Sequence, residues 1–183
     1  EFLRPREIVC QFGRHRDIVG GGWLKLRAGQ VTDDTTMSLA LGDAILARDK
    51  WSLDEVAQHF VAWMRAGPID CGHTCRRGIR RYMRDGSLEA PPNDGDAGNG
   101  ALMRNLPVVL ATLGDAQALA RQSLDQAHLT HHHPLSDLAT QALGSLCAAL
   151  IGGASISQAR QHSMALVRAE PRFAFEHPPR RST

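Results

Sequence analysis

The chain has 183 residues, 43% hydrophobic and 22% charged, with a formal net charge of +2. This is the profile of a single globular domain able to bury a substantial core. So small a charge excess argues against nucleic acid as a partner, and no apolar run approaches a transmembrane span or forms a signal peptide, so the expected location is cytoplasmic. Aromatic residues are only 5%, which leaves a core of Leu, Ala, Val, Ile and Met, a composition that suits helices.

The sequence begins at Glu1, without a start methionine or a leading helix, and reads as a fragment. Residues 3 to 31 carry no sustained period, and Gly20-Gly21-Gly22 loosen the backbone, so a long surface loop is expected there. Thr32-Asp33-Asp34-Thr35-Thr36 then opens an apolar stripe at Met37, Ala40, Leu41, Ala44 and Ile45. Asp33 stands four residues before Met37, which points one carboxylate along a buried face. Two readings fit this block. Thr32 or Asp33 caps the helix, with the acids complementing its dipole; or the run of side-chain oxygens binds a hard cation such as Mg²⁺ or Mn²⁺.

Ser52-Leu53-Asp54-Glu55 is a capping box ahead of Val56, Phe60, Val61, Trp63 and Met64, and Gly67-Pro68 ends that helix. Asp70 precedes a helix through Arg76, Ile79, Arg80 and Met83, where an N-cap role is the plain reading. Cys10, Cys71, Cys75 and Cys147 are too scattered for a disulfide framework, and Cys71, His73 and Cys75 match no zinc spacing.

Residues 86 to 98, rich in Gly, Pro, Asp and Asn, form a loop. Gly98-Asn99-Gly100 leads into a helix that Pro107 must kink or restart, and glycines there allow backbone N–H groups to approach an anion. A helix from Asp115 to about Leu129 turns Ala118, Leu119, Leu124 and Ala127 inward. His131-His132-His133 follows, then a helix opened by Pro134. Three adjacent histidines on irregular backbone do not easily face one ion, so separate hydrogen bonds are expected. After Gly152-Gly153 a last helix spans about Ser157 to Arg168, with Phe173, Phe175 and Pro178-Pro179 in an extended tail. No repeat and no period-two strand is present, so the fold class is all-α, a compact orthogonal helical bundle.

Gly20-Gly21-Gly22-Trp23-Leu24-Lys25, then Gln30-Val31-Thr32-Asp33-Asp34-Thr35, then Gly98-Asn99-Gly100-Ala101-Leu102-Met103-Arg104, in this order, resemble the ADP-ribosylglycohydrolase family from Glu1 to about His177. The resemblance implies one domain over residues 1–183, incomplete at both ends, lacking a late Asp-x-Asp-Thr motif that completes the metal site. It implies a hydrolase that removes ADP-ribose from a protein arginine with two Mn²⁺ ions, Mg²⁺ being the alternative. Thr32, Asp33 and Asp34 would be metal ligands; Asp70 and Glu1 would be catalytic; Gly98, Asn99, Gly100 and His131 would meet the substrate. The implied partners are ADP-ribosylated dinitrogenase reductase and a PII-type signalling protein. Action on another ADP-ribose linkage, or a non-catalytic ADP-ribose-binding module, are the competing functions.

Overall fold

Helices in this chain begin where a side chain can take the free N–H groups of a first turn, and several of those starts are visible in the sequence. The computed structural model describes residues 3–14, 16–168 and 171. In chain order its helices are α1 (Pro5–Phe12), α2 (Asp33–Leu46), α3 (Leu53–Arg65), α4 (His73–Asp85), a 3-10 turn (Asp94–Asp96), α5 (Leu106–Ala111), α6 (Ala116–His128), α7 (Pro134–Ile151) and α8 (Ile156–Arg168). Among the described residues there is no strand, and Gly21 and Leu26 form an isolated antiparallel bridge. The all-α expectation is met.

The chain divides into two compact units, Glu1–Val31 and Thr32–Thr183. The first departs from the loop expected there, because it contains α1. Pro5 lies in the first turn of that helix and Glu7 Oε2 accepts the Arg4 N–H at 2.6 Å. Eight residues are too few to establish a period, and the start signal is carried by Glu7 alone. Glu1 lies outside the described residues, as does the tail at Phe173, Phe175 and Pro178-Pro179.

In the second unit α2 packs on α3 and α5, α3 on α4, α6 on α7, and α7 on α8. Met37 and Leu41 of α2 meet Val56 and Phe60 of α3, Ile79 of α4 and Val108 of α5 in the core. Ser52 Oγ accepts the Glu55 N–H at 3.3 Å, Asp115 Oδ1 the Ala118 N–H at 2.8 Å, and His133 Nδ1 the Leu135 N–H at 3.0 Å, which start α3, α6 and α7 as the sequence predicts. Pro107 lies in the first turn of α5, so it restarts a helix after the turns of residues 100–104. On α6, Leu119 and Ala127 are buried as expected, whereas Ala118 and Leu124 are only partly so. Ser123 and Gln126 take the remaining inward places.

The expectation that no apolar run reaches bilayer length is corrected by α7, whose 18 residues are long and apolar enough to cross a membrane by length and composition. Its buried residues are Ser136, Thr140, Ala142 and Gly144, small side chains that let α6 and α8 approach it.

One close approach fixes the position of α4. A Cβ on Gly78 would lie 2.6 Å from the Leu129 carbonyl oxygen and 2.6 Å from Thr130 Cα, both backbone atoms. Helix propensity alone makes Gly78→Ala stabilising by up to about 1 kcal/mol, while overpacking against backbone costs about 2 kcal/mol. Gly78→Ala is therefore expected to lower the urea midpoint of unfolding. An unchanged or raised midpoint would mean that α4 and residues 129–130 separate easily.

Candidate active site

Thr32-Asp33-Asp34 stands at the mouth of α2, and the capping reading of this block fails in the structure. Thr32 occupies the N-cap position but makes no side-chain capping bond. Its Oγ1 instead donates to Asp34 Oδ2 at 3.3 Å. Asp33 Oδ2 turns away from its own helix to accept the Gly72 N–H at 3.3 Å from the segment before α4. Asp70 does not cap α4 either, since Gly72 is the N-cap and Asp70 Oδ1 accepts the adjacent Cys71 N–H at 2.8 Å.

The result is a set of carboxylates without a cation. Asp33 is 8% exposed, and burial raises its pKa above the usual 3.8. The Gly72 N–H opposes that rise, while the charges of Asp70 and Asp34 add to it. No Lys, Arg or His among the described residues pairs with Asp33, Asp34 or Asp70. Neighbouring carboxylates left unpaired at a half-buried site are a poor structural device, and their charge is of the sign a cation would complement. The hydroxyl of Thr32 and the oxygens of Asp33 and Asp34 fit a hard divalent ion by donor type.

A second cluster lies across the first turn of α4. The ring of His131 packs against the Gly98–Gly100 backbone, and a Cβ on Gly100 would fall 2.6 Å from its Cε1 and 2.9 Å from Cys75 Sγ. Glycine at position 100 thus answers an intramolecular need, to admit a histidine ring. Gly98 and Asn99 remain exposed. Cys75, buried beneath this contact, feels the charge of Asp33, and burial pushes its thiol pKa up. Ser38 Oγ, one turn into α2, reaches the Met103 carbonyl at 3.4 Å and ties the two clusters together. His131 is 3% exposed, and burial, with Arg104 and Arg77 nearby, pushes its pKa down to about 3.

The three consecutive histidines diverge as expected. His131 faces the glycines, His133 caps α7, and His132 Nδ1 bonds the Ala90 carbonyl. His132 also stacks on His128, with ring centroids 3.8 Å apart and planes 18° from parallel. Glu89, His128 and His132 bring ligand atoms within 4.8 Å of one another, a grouping the sequence did not reveal. Lone pairs of imidazole lie in the ring plane, so two stacked rings aim theirs side by side and not at one point. A hydrogen bond from His128 Nε2 to Asp137 Oδ1 at 3.1 Å raises the pKa of His128, which further suits a protonated histidine among carboxylates.

Sequence reading missed the residues that hold the second cluster. Arg104 was only a letter of the Gly-Asn-Gly motif, yet it is fully buried and donates from Nε to Gln126 Oε1 at 2.7 Å, and from Nη2 to Gln126 O and Thr130 Oγ1, each at 2.8 Å. Its Cζ lies 4.5 Å from the Phe60 ring centre. Gln126 and Thr130 carried no local signal, since they lie 22 and 26 residues from Arg104. Arg77, on the basic run of α4, is spent on an ion pair with the buried Asp96.

The raised pKa of Asp33 gives a pH test. The folded chain keeps this carboxyl protonated to higher pH than the unfolded chain, so its ionisation costs stability above the folded pKa, and that cost is absent below 3.8. Asp33→Asn, which keeps an acceptor for Gly72, should melt about a degree or two higher than the parent at neutral pH in chelator. The gap should close by about pH 3. A lower melting temperature at neutral pH would show that the carboxylate is compensated within the fold.

The model of the ADP-ribosylglycohydrolase family matches residues 1–180. The chain is 48% identical over 176 residues to the ADP-ribosyl-(dinitrogen reductase) glycohydrolase of Rhodospirillum rubrum, covering 96% of this chain and 60% of that protein. It is 30% identical over 167 residues to ADP-ribosylarginine hydrolase Tri1 of Serratia proteamaculans (strain 568), covering 87% of this chain and 44% of that one. Among solved structures, an ADP-ribosylglycohydrolase-related protein complex superposes with a TM-score of 0.73 at 30% identity, over 85% of this chain and 52% of the other. The chain thus spans 60% and 44% of the lengths of these two relatives. It belongs to the ADP-ribosylglycohydrolase family.

Proposed function

We propose that this chain forms, over residues 1–183, the N-terminal and central part of a domain that hydrolyses the N-glycosidic bond between ADP-ribose and a protein arginine. The observation that carries the reading is the trio of carboxylates Asp33, Asp34 and Asp70, which cap no helix and pair with no basic side chain among the described residues. The names of the relatives from Rhodospirillum rubrum and Serratia proteamaculans support the bond and the leaving group.

In this reading Thr32, Asp33 and Asp34 hold divalent metal, Mn²⁺ with Mg²⁺ as the alternative. When bound, the ions supply positive charge at the ribose hydroxyls and at the attacking water. The backbone around Gly98, Asn99 and Gly100 meets the diphosphate or adenosine end of ADP-ribose, and His131 contacts the substrate. Asp70, with Oδ1 held by the Cys71 N–H, keeps its second oxygen free to move a proton at the ribose. The bond from the anomeric carbon to the guanidine nitrogen breaks, water oxygen takes its place on carbon, and a proton of that water ends on the guanidine. Glu1, by the family pattern, assists the water. ADP-ribosylated dinitrogenase reductase is the proposed protein substrate, and a PII-type signalling protein the proposed regulator.

The test uses the chain extended by a relative's later segment through its Asp-x-Asp-Thr motif, with ADP-ribosyl-arginine as substrate and Mn²⁺ present. Asn at position 70 can still accept the Cys71 N–H, so Asp70→Asn should melt within about two degrees of the parent. It should turn over at least about 100-fold more slowly, the scale of a lost acid or base. Near-parental turnover would return Asp70 to a structural role. Tight ADP-ribose binding without hydrolysis by the parent would favour the binding-module alternative.

A further inference from the structure

Arg104 buries a guanidinium with no carboxylate among its described partners, and the direction of its hydrogen bonds has a consequence two residues beyond it. A guanidinium only donates, so Thr130 Oγ1 must accept from Nη2 at 2.8 Å. Thr130 is 1% exposed, and the only other partner of its hydroxyl among the described residues is His131 Nδ1 at 2.8 Å. If His131 donated from Nδ1, the hydroxyl would accept twice and its own proton would have no acceptor in a dry interior, at a cost of about 1–3 kcal/mol. The hydroxyl therefore donates to Nδ1, and the proton of the neutral ring is on Nε2.

Nε2 has no partner among the described residues. No buried side-chain nitrogen or oxygen there is left unpaired, so this atom reaches an opening. It opens beside the exposed Gly98, where a Cβ would stand 3.5 Å from Nε2. We propose that Arg104 and Thr130 are positioning residues, which lock His131 in its Nε2–H form and aim a neutral hydrogen-bond donor past Gly98 at an oxygen of the bound nucleotide sugar. The proposal rests on the hydrolase reading above only for the ligand. The lock itself is a property of the ligand-free chain. It gives a reason for the buried cation: a lysine's pivoting ammonium could not hold Gln126 and Thr130 together in one plane.

The experiment reads the tautomer directly, by long-range proton–nitrogen NMR of ¹⁵N-histidine-labelled 183-residue chain at neutral pH without metal. In the parent, His131 should show a protonated Nε2 and an unprotonated Nδ1. Thr130→Val keeps the shape and removes the hydroxyl, so the ring should lose that single form, and Thr130→Ser should restore it. The affinity of the extended chain for ADP-ribose should fall about tenfold in Thr130→Val and recover in Thr130→Ser. A protonated Nδ1 in the parent overturns the lock, and this reading holds even if Thr130→Val does not fold. A tautomer unchanged in Thr130→Val overturns the role of Thr130. A changed tautomer with unchanged ADP-ribose affinity overturns the ligand-facing half. Failure of the parent to bind ADP-ribose at all overturns the hydrolase reading, while the spectrum still decides the lock.

Discussion

A guanidinium with no exposure and no carboxylate among its described partners is an expensive thing to bury, and the surroundings of Arg104 are what make it tolerable. Its described partners are neutral: two oxygens of Gln126, the Thr130 hydroxyl, the sulfurs of Met37 and Cys75, and the face of Phe60. They come from α2, α3, α4, α6 and the segment after α6, so all must be in place at once for the charge to be solvated. Gln126 is itself held by the Ala101 carbonyl and Asn105, and Asn105 by Ser123. Removing any one partner leaves a charge or an amide unpaired, which makes the network cooperative.

That network holds His131 in place, while the carboxylates at the mouth of α2 are left uncompensated. Around Arg104 the buried side-chain polar atoms of the described residues are all hydrogen-bonded, down to the Thr130 hydroxyl. Asp33, Asp34 and Asp70, by contrast, receive backbone or hydroxyl contacts and, among the described residues, no cationic side chain. The contrast within one fold gives the carboxylates their meaning, because a chain that pairs its buried polar groups this carefully has the means to pair these also.

Start signals confined to three or four residues were legible: Ser52 with Glu55, Asp115 with Ala118, and His133-Pro134 all open helices where the sequence predicts. The carboxylates of the α2 mouth were legible as candidates, but ruling out the cap required seeing which N–H they take, and Gly72 is 39 residues from Asp33. The α1 helix was hidden because eight residues show no period. Gly100 looked like a phosphate-binding glycine, and only the ring of His131 beside it reveals the steric need. Arg104, in a motif read as ligand-facing, lies in the core, and nothing local distinguishes a buried arginine from a surface one.

The central claim is that the mouth of α2 is the cation site, and the stacked histidines beside Glu89 are not. Manganese anomalous scattering from crystals of the chain grown with Mn²⁺ tests it directly. The account predicts a peak within bonding distance of Asp33 and Asp34 oxygens, about 2.0–2.4 Å for hard divalent ions. A peak among Glu89, His128 and His132, with none at α2, would contradict it.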